Sequence, residues 1–96
     1  MAYEAIPVHL NKDKHRFEMH VDGESAIINY RQSGNVVNLI HTEVPESLEG
    51  QGVAAALVQK TLEYLEEHHL TMVPSCSYVQ HFLQEHPEWY RIAADA

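Results

Sequence analysis

Cysteine is almost missing from this chain. Cys76 is alone among 96 residues, so no disulfide can close within it, and the reducing cytoplasm is the expected compartment. Basic residues are scarce as well. Six lysines and arginines stand against fourteen acids, a net charge of −8 with histidines neutral, and this argues against the basic face of a general nucleic-acid binder. The same balance suits a positively charged acceptor such as an amine, or serves solubility alone. No apolar run approaches the roughly 18–20 residues of a membrane-spanning helix, and the first residues carry no signal-peptide pattern. Repeats, linkers and low-complexity tracts are absent too. What remains, 45% hydrophobic with mixed charge, reads as a soluble globular chain. Its length makes one domain, residues 1–96, that buries only about 60–65% of its unfolded surface. Modest stability follows, and a monomer or weak homodimer is expected. The eight histidines make the net charge sensitive to pH between about 5 and 7.

Hydrophobic alternation organises the first half. Residues 5–10 read as a short edge strand, since Pro7 is tolerable only at an edge or strand start; Asn11-Lys12-Asp13-Lys14 is a polar turn. From His15 to Val21 the period is two, with Phe17, Met19 and Val21 on one face and Arg16, Glu18 and His20 on the other. Asp22-Gly23 supplies a hairpin turn. Ala26, Ile28 and Tyr30 continue the inward face, and Ser33-Gly34-Asn35 turns the chain again. Residues 36–44 are apolar on both faces, through Val37 and Leu39 on one and Val36, Ile40 and Val44 on the other. This predicts a central strand covered on both sides.

From Gly52 to His69 the period becomes 3.6. Ala54, Leu57, Val58, Leu62 and Leu65 form the buried stripe, while Gln59, Lys60, Glu63, Glu66 and Glu67 face water. Residues 70–73 form a short strand, returned by the helix parallel beside the third long strand. Pro74 stops it, Ser77-Tyr78-Val79-Gln80 reads as a capping box opening a second helix, and His86-Pro87 ends that helix. The aromatic tail Glu88-Trp89-Tyr90-Arg91-Ile92 folds back on the core. The predicted fold is α/β (α+β): an antiparallel meander continued by one parallel strand, with two main helices packed on the sheet.

The join between strand and long helix is Val44-Pro45-Glu46-Ser47-Leu48-Glu49-Gly50-Gln51-Gly52-Val53-Ala54. The first N–H groups of a helix lack internal partners, and the dipole places about half a positive charge there, so an anion can be held on backbone alone. Gly50 and Gly52 carry no Cβ to keep a phosphate oxygen away. No lysine follows either glycine, which excludes a P-loop. Gly50-Gln51-Gly52-Val53-Ala54-Ala55 matches the loose dinucleotide pattern, but the next strand ends Met72-Val73-Pro74-Ser75, without the acid that would hold a ribose.

Glu49-Gly50-Gln51-Gly52-Val53-Ala54 resembles instead the [Q/R]-x-x-G-x-[G/A] loop of the GNAT superfamily of N-acetyltransferases, which cradles the pyrophosphate of acetyl-CoA. The order of elements resembles that fold. The chain is similar to its very short single-domain members, which share His15-Arg16-Phe17-Glu18, Val44-Pro45, Gly50-x-Gly52-Val53-Ala54 and Pro74-x-Cys76-x-Tyr78-Val79. The likeness runs from about Val8 to Tyr90. Glu49 departs from the pattern, standing where larger members usually carry Gln or Arg.

The resemblance implies an acetyl-CoA-dependent N-acetyltransferase whose amine acceptor attacks directly in a ternary complex. It implies that Glu49, Gly50, Gln51, Gly52, Val53 and Ala54 hold the pyrophosphate through backbone amides. The backbone of Ile40, Thr42 and Val44 then receives the pantetheine arm as an added strand. In an open sheet ligands collect beyond the carboxyl ends of neighbouring parallel strands, here Thr42-Glu43-Val44 and Val73-Pro74-Ser75-Cys76. Cys76 opens the second helix, where a thiolate is favoured; it is an acid or base, a nucleophile, or a small buried hydrophobe. Tyr78 resembles by position the family tyrosine that protonates the departing CoA thiolate, or it packs. Glu43, with His41 two residues back on the same face, is a candidate base for the amine, or a solvated side chain. Gln59 and Lys60 reach the nucleotide 3′-phosphate or water. His68 and His69 point to different sides of a helix, and His81 and His86 miss the i, i+4 spacing of helical zinc ligands, so no metal is expected. Two alternatives stand beside the enzyme: an acyl-CoA-binding module with little or no turnover, since larger members build the acceptor pocket from elements this chain lacks, and a protein-interaction domain. An enzyme needs Cys76, Tyr78 or Glu43; a binder needs only the loop.

Overall fold

Alternating burial requires an extended chain, because only then do successive side chains take opposite faces. In the computed structural model, which describes residue 3 and residues 5–94, the alternating segment is β2 (Arg16–Val21). It pairs antiparallel with β1 (His9–Asn11) and with β3 (Glu24–Ser33). A turn at Gly34-Asn35 leads to β4 (Val36–Glu43), antiparallel to β3. The helix α1 (Val53–Glu67) crosses to β5 (Thr71–Pro74), which lies parallel to β4. A second helix, α2 (Ser77–Glu85), and a 3-10 segment (Pro87–Ile92) follow. The sheet runs in the order β1-β2-β3-β4-β5, which is the predicted meander continued by a parallel strand.

The core lies between one face of the sheet and the helices. Phe17, Met19, Val21, Ala26, Ile28, Tyr30, Val37, Leu39 and Met72 are buried from the sheet side. Leu57, Val58, Leu62 and Leu65 of α1 meet them, with Val53 and Ala56 buried where Ala54 was expected; Ala54 is only half-buried. Val79, Phe82 and Leu83 come from α2. Trp89 and Ile92 of the tail fold back as predicted. Trp89 Nε1 donates to Gln59 Oε1 at 3.2 Å, and Arg91 lies over the Trp89 ring while gripping both Glu66 oxygens at 2.7 and 2.8 Å.

Some local expectations are corrected. β4 is not covered on both sides: Ile40 is 38% exposed on the face away from the helices. The cause is a β-bulge. Tyr30 pairs with Leu39 and Asn29 with His41, which leaves Ile40 unpaired. An extra residue in one strand exchanges the faces beyond it, so Val37 and Leu39 face the core before the bulge, while Thr42, opposite buried Ile28, faces it afterwards. The switch of sides accounts for Val44, which packs against the core, while Val36 precedes the bulge and Ile40 is the bulged residue. β1 is shorter than predicted and ends later; Ile6 and Val8 pack on the core outside any strand. β5 does stop at Pro74, but the proline is its last residue, opposite Leu39, and not the first beyond it. Ser77 does not cap α2. Cys76 is the cap residue, no side chain caps the helix, and Gln80 Nε2 donates to the Pro74 carbonyl at 2.8 Å.

Candidate functional site

The segment after β4 tightens into a 3-10 turn (Glu46–Leu48) and is pinned by buried Leu48. Gly50 and Gly52 then adopt φ of +77° and +83°, the left-handed region that L side chains avoid. These two left-handed residues swing the chain so that α1 starts at Val53 with its open end toward the loop. The first helical bond runs from the Ala56 amide to the Gly52 carbonyl at 3.1 Å, so the amides of Val53, Ala54 and Ala55 precede it. A cavity of about 240 Å³ lies over them, lined by Val44, Glu49, Gly50, Gly52, Val53, Ala54 and Tyr78 among others. A Cβ at Gly50 would meet nothing within 4 Å, so the ground above the loop is free. Gln51 turns its side chain elsewhere: its amide donates to the Ser47 carbonyl at 2.9 Å, and its oxygen accepts from Tyr3 Oη at 2.8 Å.

Beside this loop the parallel strands part. β4 and β5 stay paired from Val36 opposite Thr71 to Leu39 opposite Pro74, and the Cys76 amide closes the seam on the Leu39 carbonyl at 2.8 Å. Beyond Leu39, β4 continues to Glu43 with β3 as its only strand partner among the described residues. The bulge turns Thr42 inward there. Its Oγ1 lies 3.2 Å from the Cys76 Sγ, and the cysteine is only 5% exposed. Tyr78, the second residue of α2, is half-buried and reaches the glycine-loop cavity. Burial pushes its phenol pKa up, with the Glu85 carboxylate adding to the shift.

Thr42, Cys76, Tyr78, Val44 and the loop thus share one corner of the fold. Glu43 does not join them. It is exposed, paired with Ile27 on the face away from the helices, and its Oε1 lies 3.3 Å from His41 Nε2. Ile40 also turns outward, leaving only its backbone near the seam. Lys60, Gln59, Phe82 and His86 line a groove of about 480 Å³ between α1 and α2, which shares Ala55 with the loop cavity. Among the described residues no three His, Cys, Asp or Glu side chains gather as a metal would need, and no helix is long and apolar enough to cross a membrane.

A cavity over the open amides of a helix start, beside two parted parallel strands, narrows the choice of family. Residues 16–92 match the family model described as GCN5-related N-acetyl-transferase. The chain belongs to the GCN5-related N-acetyltransferases. It is 32% identical to Protein NATD1 of Bos taurus over 89 residues, spanning 88% of this chain and 79% of that relative. Protein NATD1 of Homo sapiens is 30% identical over the same length and the same shares. The solution structure of a GCN5-like protein from Staphylococcus aureus matches with a TM-score of 0.69 at 26% identity, covering 95% of this chain and 90% of the other. The resemblance carried by the loop residues is therefore correct at the level of the superfamily. Sequence reasoning missed two features of this GCN5-related corner, the bulge at Ile40 and the Thr42–Cys76 contact. The signal for the bulge was present, in the change of apolar parity between Leu39 and Val44.

Proposed function

We propose that this GCN5-related chain is an acetyl-CoA-dependent N-acetyltransferase whose amine acceptor attacks directly within a ternary complex. The observation that carries the reading is the cavity over Gly50, Gly52 and the first α1 amides, contiguous through Val44 and Tyr78 with the parted edge of β4. Acetyl-CoA supplies a thioester: a C–N bond forms at its carbonyl carbon, the C–S bond breaks, the amine loses a proton and CoA leaves as a thiol. The residues present fit that group. The amides of residues 49–54 hold the pyrophosphate, with no Cβ intervening at Gly50; Glu49, exposed and also lining the cavity, offers only its backbone N–H. The backbone of Ile40, Thr42 and Val44, beyond the last β5 partner, takes the pantetheine arm as an added strand.

Tyr78 holds a proton at Oη at neutral pH, since its pKa is raised, and delivers it to the departing sulfur. Cys76, its Sγ fixed by Thr42, is the acid or base nearest the parted strands. Glu43, solvated and backed by His41, takes the amine proton through water. A lone, buried cysteine suits the cytoplasm, and a monomer or weak homodimer suffices. The uncovered face of the sheet favours one second reading, an acyl-CoA-binding module without turnover.

Calorimetric titration with acetyl-CoA, with NADH and ATP as controls, tests the proposal. Micromolar binding of acetyl-CoA alone is expected. No binding, or equal binding of the controls, overturns it.

A further inference from the structure

The face of the sheet turned away from the helices carries a basin of about 620 Å³. Lys14 and His15 from the turn before β2, Asn29, Arg31 and Gln32 from β3, and Ile40 from β4 line it. Asn29 and Arg31 flank buried Tyr30 and so point away from the core. Ile40 is the bulged residue, and it follows Leu39, whose carbonyl accepts the Cys76 amide. The basin therefore ends on β4 at the point where β4 leaves β5, on the face opposite Thr42 and Cys76.

Its charge is unlike that of the chain. Lys14 and Arg31 are two of only six lysines and arginines. Arg16 and Arg91 are engaged by Glu18 and Glu66, but Arg31 forms no ion pair among the described residues. Of the carboxylates on this face, Glu18 is held by Arg16, while Glu43 lies 3.3 Å from the His41 imidazole at the far end of β4. The net charge of −8 does not cancel this local field. The molecule measures 36 × 31 × 22 Å, whereas screening in physiological salt acts within about 8 Å, so the nearest charges decide what the basin accepts.

We infer that this basin receives the acceptor, and that the acceptor is a small amine carrying an anionic group, a carboxylate or a phosphate. The inference rests on the acetyltransferase reading for the fate of the amine. A guanidinium presents N–H donors in a fork that matches a carboxylate or phosphate, and Lys14 adds a second positive charge. Asn29 offers further amide donors, while the Gln32 amide already donates to the Gly34 carbonyl at 3.1 Å. Neighbouring strands lie about 4.8 Å apart, so an anion on Arg31 of β3 leaves the amine roughly 5–10 Å away, over Ile40 and the parted edge of β4. That reach fits an amine set off from its anion by a short alkyl chain. A polyamine offers Arg31 nothing to hold, although the net charge alone would favour it.

The test uses matched probes on the whole chain, read as amide shifts of Asn29, Arg31 and Ile40 by NMR. γ-Aminobutyrate is compared with n-butylamine, O-phosphoethanolamine with ethanolamine, and spermidine serves as the polycation. At least one anionic amine should shift these amides at roughly fivefold lower concentration than its uncharged-tail partner, a difference that its charge-assisted contacts to Arg31 predict. The two pairs tell carboxylate from phosphate. Arg31→Gln should erase the difference while leaving acetyl-CoA affinity unchanged, and the preferred amine should release CoA thiol fastest. Equal shifts by the partner amines, a preference for spermidine, no shift by any probe, or a difference that survives Arg31→Gln would each overturn the inference. Failure of acetyl-CoA to bind in the parallel titration would instead sink the transferase reading, with the amide shifts still judging the basin by themselves.

Discussion

Gly52 is the position where a substitution strikes the proposed cofactor site directly. It sits at φ 83° and ψ 9°, immediately before α1. Two effects of substitution can be separated there. Any L side chain in the left-handed region costs roughly 1–2 kcal/mol, so Gly52→Ala should lower Tm by about 4–8 °C for each kcal/mol in a domain of this size. Gly52→Glu carries the same backbone strain and adds a negative charge at the mouth of the cradle. Against a pyrophosphate with about two charges roughly 6 Å away, at an effective dielectric near 40, the repulsion is about 3 kcal/mol. That corresponds to about a hundredfold loss of affinity. Calorimetry with acetyl-CoA on both variants, with circular dichroism to confirm folding, reads the two effects apart. The alanine variant should melt earlier yet keep affinity within about tenfold, and the glutamate variant should fall by about a hundredfold or more. A folded Gly52→Glu protein that binds acetyl-CoA within about threefold of the unmodified chain would refute the cradle assignment.

Removing the thiol with Cys76→Ala should slow acetyl transfer by about tenfold or more and leave acetyl-CoA affinity intact; an unchanged rate makes Cys76 a packing residue held by Thr42. Tyr78→Phe should lower kcat by about a hundredfold, again without weakening binding, and a full rate in the phenylalanine variant removes the proton-donor role. Glu18 gives a prediction about stability. The Arg16 guanidinium, aided by Asn11, holds its carboxyl below the usual range despite the opposing effect of burial. A depressed folded pKa means that the contribution is present above the unfolded value of about 4.3 and is lost as pH falls through the lower, folded value. Thermal melts from pH 7 to 3 should therefore show a steeper acid decline for the unmodified chain than for Glu18→Gln, and parallel curves would rule the ion pair out as a source of acid sensitivity.

Several parts of this protein were legible from the chain alone because their causes are local. Period-two burial through Phe17, Met19 and Val21, and the 3.6-residue stripe through Leu57, Leu62 and Leu65, each name an element without reference to any partner. The two glycines before α1 are equally local, since a left-handed turn at Gly50 and Gly52 is a property of the residues that occupy it. The order of those elements then leaves few topologies, and the observed sheet is among them. Tertiary structure decided what lies opposite what. The bulge at Ile40 arises from the register of β4 on β3, and register is set by a ladder of distant pairings that periodicity within one strand does not encode. That single extra residue turned Thr42 inward to meet Cys76, 34 positions along the chain, and left Ile40 on the opposite face beside Arg31. The same distant pairings replaced the Ser77 cap with Cys76, whose amide was drawn to the Leu39 carbonyl. Composition and pattern determined the layers and the glycine loop; only the folded register could decide which side chains share the corner at the end of the parallel strands, because proximity there is made by hydrogen bonds between segments far apart in sequence.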